Sequence, residues 1–375
     1  MKLEVNHEEL KQILKVVWKA KLPLFIWGAP GIGKSYMVRD VAKEIAKELG
    51  REFVELNKID KAKRKEIEAN PEKYFVLYDI RLSQYDPSDL RGLPALNGQE
   101  TVEWRINDWV YLFSRPNIAG IIFFDELNLA PPSIQASAYQ IILDKCISDT
   151  PIAKDVLIVS AGNRLEDKAN VFDMPKPLQN RFLHCTLRVP SVEEWTKWAQ
   201  EHNLDMRVIT YLNSRPSHLF KMDEESNDEA FPTPRTVEFW ARLIKDVPDE
   251  DLNTLEKLTA IAVGTGVALE FVSFIKLRRQ IDFKDLLEHP EKLRQIEEVD
   301  MKYAIVSLIA DYWRNSRKDM KTFAKLFKII KEFPEAEFQI ITLREIRRQS
   351  PKILFNALMK VPEYNEWANK IIQYL

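Results

Sequence analysis

The sequence predicts an α/β domain built on a parallel sheet, followed by an all-helical second half. Three observations predict it. Over residues 1–190, apolar runs of strand length alternate with helical patterns, the arrangement that gives a parallel sheet with crossover helices. Several of those runs end on glycine-rich or polar turns, where open parallel sheets hold their ligands. From about residue 191 onward there is no convincing strand run, and apolar residues recur at helical spacing.

The elements follow in order. "LPLFIW" (22–27) reads as a buried strand, and "GAPGIGKS" (28–35) matches the phosphate-loop pattern G-x-x-x-x-G-K-[ST] at every fixed position. "YMVRDVAKEIAKELG" continues as a helix that stops at Gly50. Strand, glycine turn and helix together are the context such a loop needs. Gly28, Gly31 and Gly33 let the backbone close around phosphate, and amides at the helix N-terminus meet its negative charge. Lys34 is expected to reach the β- and γ-phosphates and Ser35 to ligate magnesium through its hydroxyl. Val54–Leu56 reads as a further strand, 57–74 as one solvated, peripheral helix, and "FVLYDIRLS" (75–83) as another strand.

"AGIIFFDE" (119–126) has the unbroken apolar run of a central parallel strand, with two carboxylates at its C-terminal end. Asp125 is a magnesium ligand candidate. Glu126 is the candidate to orient and activate a water. The pair could also cap the helix expected over "LNLAPPSIQASAYQIILDK". "KDVLIVSAGN" (154–163) is a strand whose polar tip, Asn163, would contact a γ-phosphate, hold a water, or simply form a local Asx turn. Asn97-Gly98 and the alternation in "TVEWRI" predict a hairpin insertion at 90–105, where Trp104 reads as an exposed aromatic or a core one. A shorter hairpin is expected at 144–155. In the second half, Ser191 and Glu194 form a capping-box pattern. Residues 259–276 read as one apolar helix, and "MKYAIVSLIADYWR" and "TFAKLFKIIKEF" as amphipathic helices.

Composition narrows the functional classes. The 375 residues are 45% apolar and 30% charged, a globular balance with room for more than one core. A formal net charge of -2 argues against a general polyanion-binding surface. The local positive charge of "IITLREIRRQSPKILFNALMK" has no interleaved aromatics, so nucleic acid is a secondary expectation. Cys146 and Cys185 form no spaced cluster, there is no HExxH, and no stretch approaches the roughly 18 apolar residues of a membrane span. A reduced, cytoplasmic setting is expected, and the Lys/Glu-rich composition hints at a thermophile.

A phosphate loop, Asp-Glu ending one strand, Asn ending another, and then "LQNRF" resemble, in that order, the AAA+ ATPases. More narrowly, "DIRLSQYDPSDLRGLP" (79–94), with Asp89, Leu90, Arg91 and Gly92, is similar to the MoxR and dynein-related branch. The resemblance spans roughly residues 10–240. It implies a P-loop AAA+ core over 1–190 with hairpin insertions, a helical lid over 191–280, and a helical extension over 281–375. Gly28, Ala29, Pro30, Gly31, Ile32, Gly33, Lys34, Ser35, Tyr36 and Asp125 become the nucleotide-binding candidates, with Ser35 and Asp125 at the metal. Glu126 is then the Walker B base and Asn163 sensor 1. Arg181 matches the arginine finger that a neighbouring subunit's nucleotide receives, and Arg235 in "FPTPRTVEFW" matches sensor 2. A guanidinium, always charged and forked, suits phosphoryl oxygens. Apart from the resemblance, Arg181 also reads as a surface salt bridge and "PTPR" as an ordinary helix start.

The implied activity is magnesium-dependent hydrolysis of ATP by a homo-oligomeric ring, a hexamer. The ring would remodel or mature a partner protein in a chaperone-like way. The branch implies a partner with a von Willebrand factor A domain; this chain carries no DxSxS motif, so that domain would belong to another polypeptide. The alternative is the NTPase motor of a nucleic-acid-processing or restriction-type complex.

Overall fold

The computed structural model describes residues 3–96, 102–164, 172–222 and 229–371. They form two compact units, Met1–Val189 and Pro190–Leu375.

The first unit is laid out along the chain as β1 (Glu4–Val5), α1 (His7–Ala20), β2 (Leu24–Trp27), α2 (Lys34–Glu48), β3 (Glu52–Glu55), α3 (Lys61–Ala69), β4 (Tyr74–Arg81), α4 (Pro87–Arg91), β5 (Leu93–Leu96), β6 (Val102–Arg105), α5 (Asp108–Phe113), β7 (Ala119–Asp125), α6 (Pro132–Asp144), β8 (Cys146–Ile147), β9 (Thr150–Pro151), β10 (Val156–Gly162), α7 (Lys176–Gln179) and β11 (Leu183–Leu187). Seven strands make one parallel sheet in the order β1-β11-β2-β10-β7-β4-β3. Its central strands are buried on both faces, which is why they read as continuous apolar runs. Phe25, Val76, Ile122, Phe124 and Ile158 share a core with Trp109 and Phe113 of α5 and Ile134 and Ile141 of α6. Helix α2 packs on β4, β7 and β10. The expected alternation of strands and helices is therefore the observed fold.

Both expected hairpins are present as antiparallel pairs, β5 with β6 and β8 with β9. The Asn97-Gly98 turn lies outside the described residues, and Trp104 is exposed. Two expectations need correction here. Residues 57–74 are not one helix: a 3-10 turn covers Leu56–Lys58, Asp60 caps α3 by accepting from the Lys63 amide, and Pro71 opens a second 3-10 turn. Nor does a helix follow Glu126 directly. A 3-10 turn spans Leu127–Leu129 and α6 starts at Pro132, because Pro131 disfavours helical backbone at Ala130.

The second unit is helical throughout its described residues: α8 (Val192–Glu201), α9 (Met206–Ser214), α10 (Pro234–Leu243), α11 (Leu252–Val263), α12 (Thr265–Gln280), α13 (Phe283–Glu288), α14 (Val299–Asn315), α15 (Met320–Ile330), α16 (Ala336–Gln349), α17 (Ile353–Lys360) and α18 (Pro362–Ile371). The Ser191–Glu194 capping box starts α8, with the Glu194 amide donating to Ser191 Oγ at 3.2 Å. Residues 259–276 are two helices rather than one, parted at Gly264, whose φ of +95° no helix accommodates. Helix α15 is amphipathic as expected. Helix α14 is instead buried nearly all round, from Lys302 to Trp313, and packs on α9, α12 and α16. One apolar cluster runs from Trp195 to Tyr364, so residues of 191–280 and of 281–375 share it.

Buried charge crosses that core. Arg207 Nη2 donates to Asp205 Oδ2 (2.7 Å) and its Nη1 to Asp249 Oδ1 (2.8 Å). Arg278 Nε donates to Asp249 Oδ2 (2.8 Å), and Arg278 also holds Asp311 and Ser307. Against the upward push of burial, these guanidiniums keep Asp249 below its usual range.

Glu345 is the opposite case. It is 2% exposed, bonded to Gln200 and in single contact with Arg348 (3.2 Å), and burial pushes its pKa up to about 7 despite Arg348. Because the folded pKa lies above the unfolded one, its stabilisation is complete below the unfolded value of 4.5 and is lost as pH rises through about 7. Glu345→Gln is therefore expected to leave stability nearly unchanged at low pH and to raise it by roughly 2–3 kcal/mol above pH 8. Denaturant titrations at both pH values check this; equal pH slopes in the two proteins would contradict it.

Candidate active site

The predicted residues of the first unit gather at the C-terminal edge of the parallel sheet, on strands whose register is fixed. Trp27 pairs with Gly162, so Gly28 and Asn163 leave the sheet side by side, and Asp125 ends β7 at the same edge, one residue past the Phe124–Ser160 pair. The Gly28 amide donates to the Gly162 carbonyl at 3.3 Å. After the turn, Gly33 caps α2 at φ +101°, a left-handed conformation that a side chain would strain. The loop residues Ala29, Pro30, Gly31 and Ile32 close the turn, and Tyr36 lies exposed in the first turn of α2.

Two hydrogen-bonded pairs bring the predicted residues together. Lys34 is buried, and its Nζ donates to the carbonyls of Gly28 (2.6 Å) and Ala29 (2.9 Å) and to Asn163 Oδ1 (2.9 Å). Ser35 Oγ donates to Asp125 Oδ2 at 2.6 Å. Asp125 Oδ1 in turn accepts the Glu126 amide at 3.0 Å. Glu126 has φ +56°, an uncommon value for a residue with a side chain, set where β7 turns into the 3-10 segment. Hydroxyl and carboxylate oxygens at this separation are the hard donors magnesium takes. A magnesium that shares its shell with phosphates and water needs one or two such protein ligands. The lack of any group of three or more His, Cys, Asp or Glu ligands among the described residues is therefore compatible with the site.

The two predicted arginines sit on other elements. Arg181 is exposed in the turn between α7 and β11, and among the described residues its guanidinium makes no ion pair. Arg235 is exposed in the first turn of α10, in the second unit, behind Thr233, which caps that helix, and Pro234 at its first position.

Several residues at this edge escaped the sequence reading. His7 Nε2 is 2.8 Å from the Ile32 carbonyl and so braces the phosphate loop from α1. Asp79 on β4 is raised to about 6 by burial and then by the Asp125 charge, with Arg39 opposing. Trp27 Nε1 donates to His184 Nδ1 (3.1 Å), and His184 Nε2, left as the protonated nitrogen, reaches the Gln179 carbonyl (2.7 Å). That chain links the residue before the phosphate loop to the turn carrying Arg181. Asn128 clamps the main chain of Asn163. Only Asn128 had a usable signal: it is the single polar residue in "LNLA" just past the carboxylate pair.

The model of the ATPase family associated with various cellular activities (AAA) matches residues 24–186. No curated protein sequence matches the chain. Solved structures are distant likenesses. A Cytophaga hutchinsonii protein assigned as an ATPase shares 17% identity at a TM-score of 0.34, over 52% of this chain and 50% of its own, so this chain spans half of that protein's length. NtrX from Brucella abortus, in complex with ADP, gives 14% and 0.36 over 98% and 67%. Aeropyrum pernix ORC2 gives 11% and 0.37 over 91% and 93%. Among the described residues no helix is long and apolar enough to cross a membrane. The phosphate loop, the carboxylate-ended strand and the asparagine-ended strand all fall inside the segment that the AAA-family model matches, residues 24–186.

Proposed function

We propose that the chain is a MoxR-like AAA+ machine that hydrolyses ATP as a ring, a hexamer, and remodels or matures a partner protein. The observation that carries the reading is the joined cluster of Lys34, Asn163, Ser35 and Asp125 at one sheet edge. Lys34 and the loop amides bind the phosphates, with Gly28 to Gly33 and Tyr36 around the nucleotide. Ser35 and Asp125 hold magnesium, which when bound supplies positive charge to the phosphate oxygens. Glu126 orients a water and accepts its proton as the water oxygen attacks the γ-phosphorus and the bond to the leaving ADP oxygen breaks. Asn163 positions that water or the γ-phosphate. Arg181 completes a neighbour's site and Arg235 reads the nucleotide from a lid over 191–280; the extension over 281–375 has no assigned chemistry.

The exposed Arg181, which makes no ion pair among the described residues, supports assembly, since a finger has to reach another subunit. The preference for ATP over GTP and a von Willebrand factor A domain partner rest on the family resemblance. The test is ATP hydrolysis by the purified full chain, with and without magnesium and duplex DNA, alongside mass photometry. Magnesium-dependent hydrolysis with ATP-induced rings, indifferent to DNA, is expected. Strong stimulation by DNA would favour the nucleic-acid motor instead, and absence of hydrolysis in verified rings would sink the reading.

A further inference from the structure

We infer that Asn128 is a positioning residue for hydrolysis, locking Asn163 to the turn that carries Glu126. The inference rests on the proposed reading of those two residues. Asn128 sits two positions after Glu126, inside the 3-10 turn, and is 3% exposed. Its Nδ2 donates to the Asn163 carbonyl at 2.7 Å, and the Asn163 amide donates back to its Oδ1 at 3.2 Å. Both ends of one side-chain amide are thus spent on the main chain of a single residue. Among side chains of this size only an amide offers a donor and an acceptor in that geometry: a carboxylate lacks the donor and a leucine lacks both.

The location explains why such a clamp is needed. The last ladder pair between β7 and β10 is Phe124 with Ser160. Beyond it, Asp125 and Glu126 on one strand and Gly162 and Asn163 on the other have no mutual backbone register to hold them. Asn128 supplies that register past the end of the ladder. The sequence makes room for it: a Cβ at Gly162 would lie 2.3 Å from Asn128 Oδ1 and 2.7 Å from Phe25 Cζ. On one side, the Leu129 amide closes the turn onto the Glu126 carbonyl at 2.9 Å. On the other, Asn163 Oδ1 takes the Lys34 ammonium. The Phe172 amide, donating to the Asn128 carbonyl at 2.8 Å, pins the clamp from a third side. A shift of Asn128 would therefore move the base relative to Asn163 without touching the phosphate loop itself.

The experiment uses the full chain carrying Asn128→Ala, Asn163→Ala, both together, or Glu126→Gln. It reads kcat for ATP and the Kd of a fluorescent ATP analogue. Asn128→Ala is expected to lower kcat by about tenfold or more with Kd within a factor of about three, the split that a lost transition-state arrangement gives. The double variant is expected to be slower than Asn163→Ala by no more than about twofold, because both changes disable one unit. Asn128→Asp, nearly isosteric, keeps one bond and sets an oxygen against the Asn163 carbonyl; it should show the same split, and it carries the test if the alanine variant does not fold. A normal kcat, a kcat loss that only tracks lost nucleotide-binding sites, or fully additive effects would overturn the inference. Glu126→Gln separates the two levels. If it hydrolyses normally, the reading of the site fails; if it is inactive while Asn128→Ala is normal, only the positioning role fails.

Discussion

Glu126→Gln is expected to lower the rate of ATP hydrolysis by at least about a hundredfold while leaving nucleotide affinity nearly intact, since a positioned general base contributes about 10²–10⁴. The two halves of that result come from different parts of the edge. On the proposed reading, affinity depends on the phosphate loop, Lys34, Ser35 and Asp125, and the substitution reaches none of them: Asp125 is held by the Glu126 amide, a main-chain group that glutamine also has. On the same reading the rate depends on the side-chain carboxylate, which glutamine matches in shape and not in basicity. The left-handed backbone at Glu126 is kept as well, so the replacement changes chemistry and little else. Phosphate release and equilibrium binding, measured on one preparation, check it. Hydrolysis at the parent rate would remove Glu126 from the mechanism.

The second large effect belongs to Arg181. Arg181→Ala is expected to reduce hydrolysis by about a thousandfold or more, the range assigned to a guanidinium supplied to a phosphoryl transition state. It is also expected to spare ATP binding within each subunit, because no hydrogen bond among the described residues ties Arg181 to the Lys34 cluster. The sharper form of the prediction uses two inactive proteins. A Lys34→Ala chain offers an intact arginine beside a dead pocket, and an Arg181→Ala chain offers an intact pocket without its arginine. Co-assembled, some interfaces place good pocket against good arginine, and turnover should partly return. Mixed rings verified by mass that stay inactive would place Arg181 outside any shared site.

Much of this was legible because the signals were local. A phosphate loop is a backbone shape, and its glycines, lysine and serine sit in one contiguous stretch between a strand and a helix. The carboxylate pair and Asn163 were legible for a related reason: a polar residue ending a wholly apolar parallel strand has little use except at the sheet's ligand edge. What escaped depended on distance in sequence. His7 meets Ile32 and Trp27 meets His184 only after β1, β2 and β11 have found their register. The boundaries that moved did so at specific residues. Pro131 delayed the start of one expected helix and Gly264 split another, each by a backbone preference that apolar periodicity does not carry. Helix α14 read as two-faced and proved central because its neighbours, α9, α12 and α16, surround it, and a helical pattern does not say how many partners it will have.

The bonding of Lys34 has its own consequence for how tightly this edge can hold a nucleotide. Its ammonium already has three oxygen acceptors in the chain itself, two loop carbonyls and Asn163 Oδ1. On the proposed reading, an arriving phosphate exchanges partners with those oxygens instead of meeting a bare cation, so affinity here is a difference between two well-bonded arrangements. The protein thus carries an internal competitor for its own ligand. Release of product is then a return of the lysine to bonds the chain makes unaided, which ties turnover to the same carbonyls that shape the loop.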